Sequence, residues 1–96
     1  MLTGIDSQGR VKIPKLIWPS YLEIPMDVAV FYCPKEEAIG ILPPDKSWEG
    51  YRIVGVKNID YEARINVGRY LQTLSGKVTK RVLVYSLNGI IYIKAM

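Results

Sequence analysis

The chain has 96 residues, a formal net charge of +4, one cysteine and no histidine. That length makes one domain, and 49% hydrophobic with 23% charged residues excludes a disordered chain. Without histidine there is no Ser-His-Asp or Cys-His nucleophile, and a lone Cys33 allows neither an intrachain disulfide nor a CxxC metal knuckle.

Leu2 to Asp6 reads as a short strand, followed by a turn over Ser7-Gln8-Gly9 in which Gly9 permits a positive φ. Asp6 is placed to accept bonds from backbone N–H groups across that turn. Val11-Lys12-Ile13 alternates apolar, polar, apolar as a half-buried strand does. Pro14 stops it and suits the first position of a short helix over Lys15-Leu16-Ile17-Trp18, which Pro19 kinks or ends. Pro25-Met26-Asp27 predicts a turn into a strand over Asp27 to Tyr32, apolar on both faces. Cys33 to Ala38 loops back, and Ala38 to Leu42 returns as a strand.

Pro43 to Gly50 has the Pro, Gly and polar content of a linker, with at most one helical turn near Trp48, and Tyr51 to Val56 is strand-like. Then the opening recurs. Ile5-Asp6-Ser7-Gln8-Gly9-Arg10-Val11-Lys12-Ile13-Pro14 returns 54 positions later as Ile59-Asp60-Tyr61-Glu62-Ala63-Arg64-Ile65-Asn66-Val67-Gly68. Ala63 in place of Gly9 means that the second turn either changes geometry or carries strain. Arg69 to Ser75 contains no proline and predicts a cleaner helix, capped by Gly76. Arg81 to Leu87, Asn88-Gly89 and Ile90 to Lys94 form a hairpin signal, since a type I′ turn wants positive φ at both central positions.

Internal similarity at a fixed period dictates architecture. Each half reads strand, turn, strand, short helix, hairpin, and hairpins apolar on both faces do not stand alone in water. The expected fold is therefore mainly β with short helices. Two pseudo-twofold repeats in one chain would interleave their strands in a small closed or nearly closed barrel, which also removes sheet edges. The expected division is a first half over 1–43, a linker and lead-in strand over 44–55, and a second half over 56–96.

Charge is uneven. Residues 1–43 carry four Lys/Arg against five Asp/Glu, whereas 58–96 carry six against two. A basic excess gathered in one half suits an anionic partner such as nucleic acid. No apolar run approaches the roughly 18 residues of a membrane span, so the default expectation is a cytoplasmic protein without membrane contact. The sequence offers no nucleophile–base pair, and neither an enzyme nor a cofactor or metal is expected. Other readings stay open for the charged and aromatic residues. Arg10 and Arg64 could pair with Asp60 and Asp6 across the pseudo-twofold axis, bind phosphate, or both. Lys77, Lys80 and Arg81 are explained equally by a solvated turn. Trp18, Trp48 and the seven tyrosines read as packing residues more readily than as base-stacking platforms. Cys33 reads as a small hydrophobe.

Asp6-x-x-Gly9-Arg10-Val11-x-Ile13-Pro14, a short helix, then Leu22-Glu23-Ile24-Pro25-Met26-Asp27-Val28 resembles the AbrB/SpoVT swapped-hairpin domain family. The likeness covers residues 2–42 well and 56–95 in weaker form. Two copies joined by a segment with Pro44 and Trp48 are similar to the tandem MraZ arrangement, with a shorter linker. The resemblance implies a swapped-hairpin AbrB-like β-barrel and a transcription regulator that binds duplex DNA. It implies contacts from Arg10 and Lys12 on the first strand and Lys15 on its helix, with Arg64 and Arg69 at the corresponding places of the second copy. Lys12 becomes Asn66, so that contact is one-sided. The family also includes antitoxins. The alternative expectation is thus a protein-interaction module, antitoxin or assembly adaptor, using the same barrel without DNA, and self-association into dimers or larger assemblies remains open.

Overall fold

Eight antiparallel strands form one sheet, because the apolar alternation of the chain gives each strand a face to bury and short turns return it on itself. The computed structural model describes residues 1–43, 48–76 and 80–96. In chain order the strands are β1 (Leu2–Gly4), β2 (Arg10–Lys12), β3 (Met26–Cys33), β4 (Ala38–Leu42), β5 (Arg52–Ile59), β6 (Arg64–Asn66), β7 (Arg81–Leu87) and β8 (Ile90–Ala95). A 3-10 turn over Lys15–Ile17 follows β2, and one helix, α1 (Gly68–Ser75), follows β6. The spatial order is β1-β7-β8-β4-β3-β5-β6-β2. A bridge between Ile5 and Val11 links the two ends of that order, so the sheet is a nearly closed barrel.

Neither hairpin pairs with the lead-in strand of its own half. The β3–β4 hairpin takes β5, and the β7–β8 hairpin takes β1. The registers answer one another: Leu2 opposes Leu83 and Val56 opposes Ala29, Thr3 opposes Val82 and Lys57 opposes Val28. β2 meets β6 with Val11 opposite Ile65, flanked by Arg10 opposite Asn66 and Lys12 opposite Arg64. Exchanging the halves leaves these pairings in place.

Alternation along β3 explains how a strand apolar on both faces is satisfied. Val28 and Val30 join Val11, Ile39, Ile41, Ile65, Val84 and Ile93 in the barrel interior. Ala29 and Phe31 point the other way and pack with Ala38, Leu42 and Tyr92, beneath Tyr51 and Tyr85. Phe31 lies over Gly40, where a Cβ would strike its ring, and meets Tyr51 edge-on at 4.8 Å between centroids. Tyr85 stacks on Tyr92 and its hydroxyl donates to Glu36 Oε1 at 2.6 Å, tying one hairpin to the other. Burial pushes the Tyr85 and Tyr92 hydroxyls above their ordinary range, and it raises Tyr21 to about 12.

Several local expectations shift. The first strand ends at Gly4 rather than Asp6, because Asp6 is drawn into the turn that its carboxylate organises. The helix expected over Lys15 to Trp18 shrinks to a 3-10 turn, with Ile17 N–H bonded to Pro14 O and Trp18 N–H to Lys15 O. Pro19 lacks the N–H that a further turn needs, and the chain starts a fresh turn with Leu22 N–H on Pro19 O. The second copy keeps a true helix, ended by Gly76 at φ +74 with its N–H on Gln72 O. The lead-in strand β5 extends to Ile59 instead of stopping at Val56, since β3 offers it a partner along its length. One extra residue, Val54, sits at a bulge opposite Val30 and Phe31. Near Trp48 the described residues form a turn, with Tyr51 N–H on Trp48 O. Pro44 to Ser47 and Lys77 lie outside the described residues, so the linker reading and one member of the basic run do too.

Candidate nucleic-acid interface

Two Asp–Arg turns frame the surface where the predicted binding residues stand. In the first, Asp6 Oδ1 accepts from Gln8 N–H at 2.9 Å and Arg10 N–H at 2.8 Å, while Oδ2 accepts from Arg10 Nε at 2.7 Å. In the second, Asp60 Oδ1 accepts from Glu62 N–H at 2.9 Å and Arg64 N–H at 3.0 Å, and Oδ2 from Arg64 Nε at 3.0 Å. The Arg–Asp pairing across the pseudo-twofold axis is therefore corrected. Each arginine closes on the aspartate four residues before it, because the turn brings that carboxylate to the Nε edge. Backbone N–H donation from Arg10 is the largest cause holding the Asp6 carboxyl below the usual range, and donation from Arg64 does the same for Asp60.

Ala63 keeps the turn that Gly9 makes. Its N–H reaches Asp60 O at 2.9 Å as Gly9 N–H reaches Asp6 O at 3.0 Å, and its φ is +61 against +83. Of the two expectations for the second turn, strain holds and changed geometry does not.

The turns are alike in backbone but not in charge. Glu62 Oε2 takes Arg64 Nη2 at 2.8 Å, so Arg64 is held by two carboxylates. Arg10 has Gln8 at the corresponding place, and Asp6 is its only ion-pair partner among the described residues. Arg10 thus uses one of its five N–H donors on Asp6, and Arg64 uses two on carboxylates.

Val11 and Ile65 point inward, so Arg10 and Lys12 on β2 and Arg64 and Asn66 on β6 share the outward face of the ladder. Lys12 stands directly opposite Arg64, whose charge the Asp60 and Glu62 carboxylates already offset. A groove flanks the ladder on each side. One, of ≈ 610 Å³, lies between the first turn and α1 and is lined by Gln8, Gly9, Lys57, Asn66, Arg69 and Gln72 among others. The other, of ≈ 480 Å³, lies between the second turn and the 3-10 turn and includes Lys12, Lys15, Trp18, Tyr61 and Glu62.

All five predicted residues come to this surface. Arg10, Lys12 and Arg64 sit on the ladder, Lys15 in one groove and Arg69 in the other. Lys80 and Arg81 lie at the start of β7, where Lys80 O accepts from Ile5 N–H at 3.2 Å and Arg81 pairs with Gly4. Trp18 packs against the core and donates its indole N–H to Ile13 O at 3.1 Å, in keeping with a packing role. Tyr61 departs from that expectation, being 82% exposed at the tip of the second turn. Sequence reading missed Lys57, whose ammonium lies 5.6 Å from the Tyr70 ring centroid, and Glu62 as the second holder of Arg64. Glu62 was recognisable from its place two residues before Arg64. Lys57 reaches the site only through strand pairing.

Among the described residues no helix is long and apolar enough to cross a membrane. Comparison with protein-family models, with curated proteins and with solved structures gives no match in any of the three.

Proposed function

We propose that this protein binds duplex DNA as a transcription regulator of the AbrB/SpoVT type, through Arg10, Lys12 and Arg64 on the β2–β6 ladder and Lys15 and Arg69 beside it. The observation that carries this reading is the ladder itself, which presents three cations and Asn66 on one outward face with a basic groove on either side. Arginine and lysine so spaced bind phosphates, and arginine and asparagine also suit guanine and adenine edges. The test is a titration of duplex DNA of mixed sequence between about 50 and about 200 mM salt. Each phosphate neutralised adds about −0.9 to the slope of log K against log salt, so five residues allow at most about −4 to −5. A salt-insensitive affinity, or none at low salt, overturns the proposal.

A second reading, a protein-interaction module such as an antitoxin or assembly adaptor, draws on a different observation. Leu16 is 89% exposed and Met1 54%, and Met1, Ile13, Trp18 and Ile24 contribute to the smaller groove. In that case duplex DNA does not bind and Leu16→Ser abolishes partner capture, whereas if DNA is the ligand Lys12→Ala weakens DNA binding and Leu16→Ser leaves it unchanged.

A further inference from the structure

A barrel whose two halves carry equal side chains offers DNA two equal half-sites, and its operator is palindromic for that reason. This barrel pairs its strands as such a dimer would, yet the residues at exchange-related places differ. Ser7 answers to Tyr61, Gln8 to Glu62, Asn66 to Lys12, Lys57 to Thr3 and Gln72 to Trp18. Resting on the DNA-binding reading above, we infer that one chain recognises a non-palindromic duplex in a single orientation. Base edges are read on the side of Arg10 and Asn66, and the side of Lys12 and Arg64 grips the backbone.

Three observations assign the sides. Arg10 is held along its Nε edge by Asp6, and no carboxylate among the described residues engages its terminal nitrogens, which leaves the pair that suits guanine O6 and N7. Asn66 stands directly opposite it, and Gln8 and Gln72 line the same groove, so amides able to pair with adenine N6 and N7 gather there. On the other side Glu62 occupies a terminal nitrogen of Arg64, while Lys12 and Lys15 supply compact ammonium charges, which hold phosphates without reading sequence. Trp18 and Tyr61 take the places of Gln72 and Ser7, so the adenine-reading amide and the small hydroxyl are absent there.

The experiment is selection from a random duplex pool with the whole chain, followed by affinities of Asn66→Ala and Lys12→Ala for the selected site and its single-base variants. Both residues are exposed, and matching melting temperatures verify the fold. The expected motif is non-palindromic. Asn66→Ala lowers discrimination at one base pair about ten-fold or more, and Lys12→Ala weakens all sequences alike and reduces the salt slope by about 1. A palindromic motif, or equal behaviour of the two variants, overturns the inference and leaves DNA binding standing. No enrichment from the pool overturns the DNA-binding reading, and this inference with it.

Discussion

Ala63 and Gly9 hold the same left-handed turn with different side chains, and the difference is measurable. A Cβ at Gly9 would meet Asn66 Oδ1 at 3.1 Å and Gly68 Cα at 3.2 Å in a backbone conformation that costs an L-residue about 1–2 kcal/mol. Gly9→Ala is expected to destabilise by about that amount, a fall in Tm of some 4–16 °C for a domain of this size. Ala63→Gly relieves similar strain but loses a buried methyl worth about 0.8 kcal/mol and loosens the unfolded chain by about 0.4–1 kcal/mol, so it stays near neutral. Two melting curves check both. A large gain from Ala63→Gly would show that burial of the methyl counts for little.

The arginines of the same turns give a second test. Arg10 and Arg64 have side chains of almost equal exposure, 29% and 30%, so accessibility does not separate them. Glu62 does. Arg10→Ala is expected to weaken DNA binding more than Arg64→Ala, and Glu62→Gln to strengthen it by freeing Arg64 of a competing carboxylate. Equal losses from the two arginines would show that Glu62 does not restrain Arg64, and no loss from either would put the binding face elsewhere.

Helix α1 starts against the first turn. Val67 N–H and Gly68 N–H both bond Gly9 O, at 3.0 and 2.9 Å, and a Cβ on Gly68 would lie 2.7 Å from Gly9 Cα. Alanine ordinarily improves a helix by about 1 kcal/mol over glycine. Here the obstacle is backbone, which does not swing aside, so Gly68→Ala is expected to lower Tm despite its better propensity. An unchanged or raised Tm would mean that the turn and helix separate freely. Pro14 holds the corresponding place in the first copy, where Ile13 N–H bonds Ala63 O at 2.8 Å and only a 3-10 turn follows. The same tertiary contact thus supports a helix on one side and a single turn on the other. Pro19 ends the first, and Gln72-Thr73-Leu74 extends the second.

In the barrel as a whole, both Asp–Arg turns are expected to contribute to stability in acid. Both carboxyls are lowered from an ordinary value of 3.8. A depressed folded-state value contributes stability that is fully present above the unfolded value. That stability is lost as pH falls through the folded one. Stability is therefore expected to fall below about pH 4, and Asp6→Asn together with Asp60→Asn to flatten that part of the curve. Urea midpoints from pH 7 down to about pH 2 check it. An unaltered slope in the double variant would assign the acid limb to other carboxylates.

The sequence by itself determined the hairpins, the turns that Asp6 and Asp60 organise and the basic residues of the ladder, because each is a local matter. A glycine in a turn, Asn88-Gly89 between β-rich runs, and an aspartate four residues before an arginine act within a few residues of one another. Tertiary structure decided what local forces cannot. It gave each hairpin the lead-in strand of the other half, and the barrel so formed buries Val28 and Val30 of β3 with Val82 and Val84 of β7 in one interior. It brought Lys57 and Gln72 to one groove with Arg69, and it set Lys12 across from Arg64. The arginine partners are local as well, since the carboxylate four residues before each arginine stands at bonding distance within the turn. Long-range pairing follows from what each face must bury in the folded chain, and that is a property of the assembled barrel rather than of either copy alone.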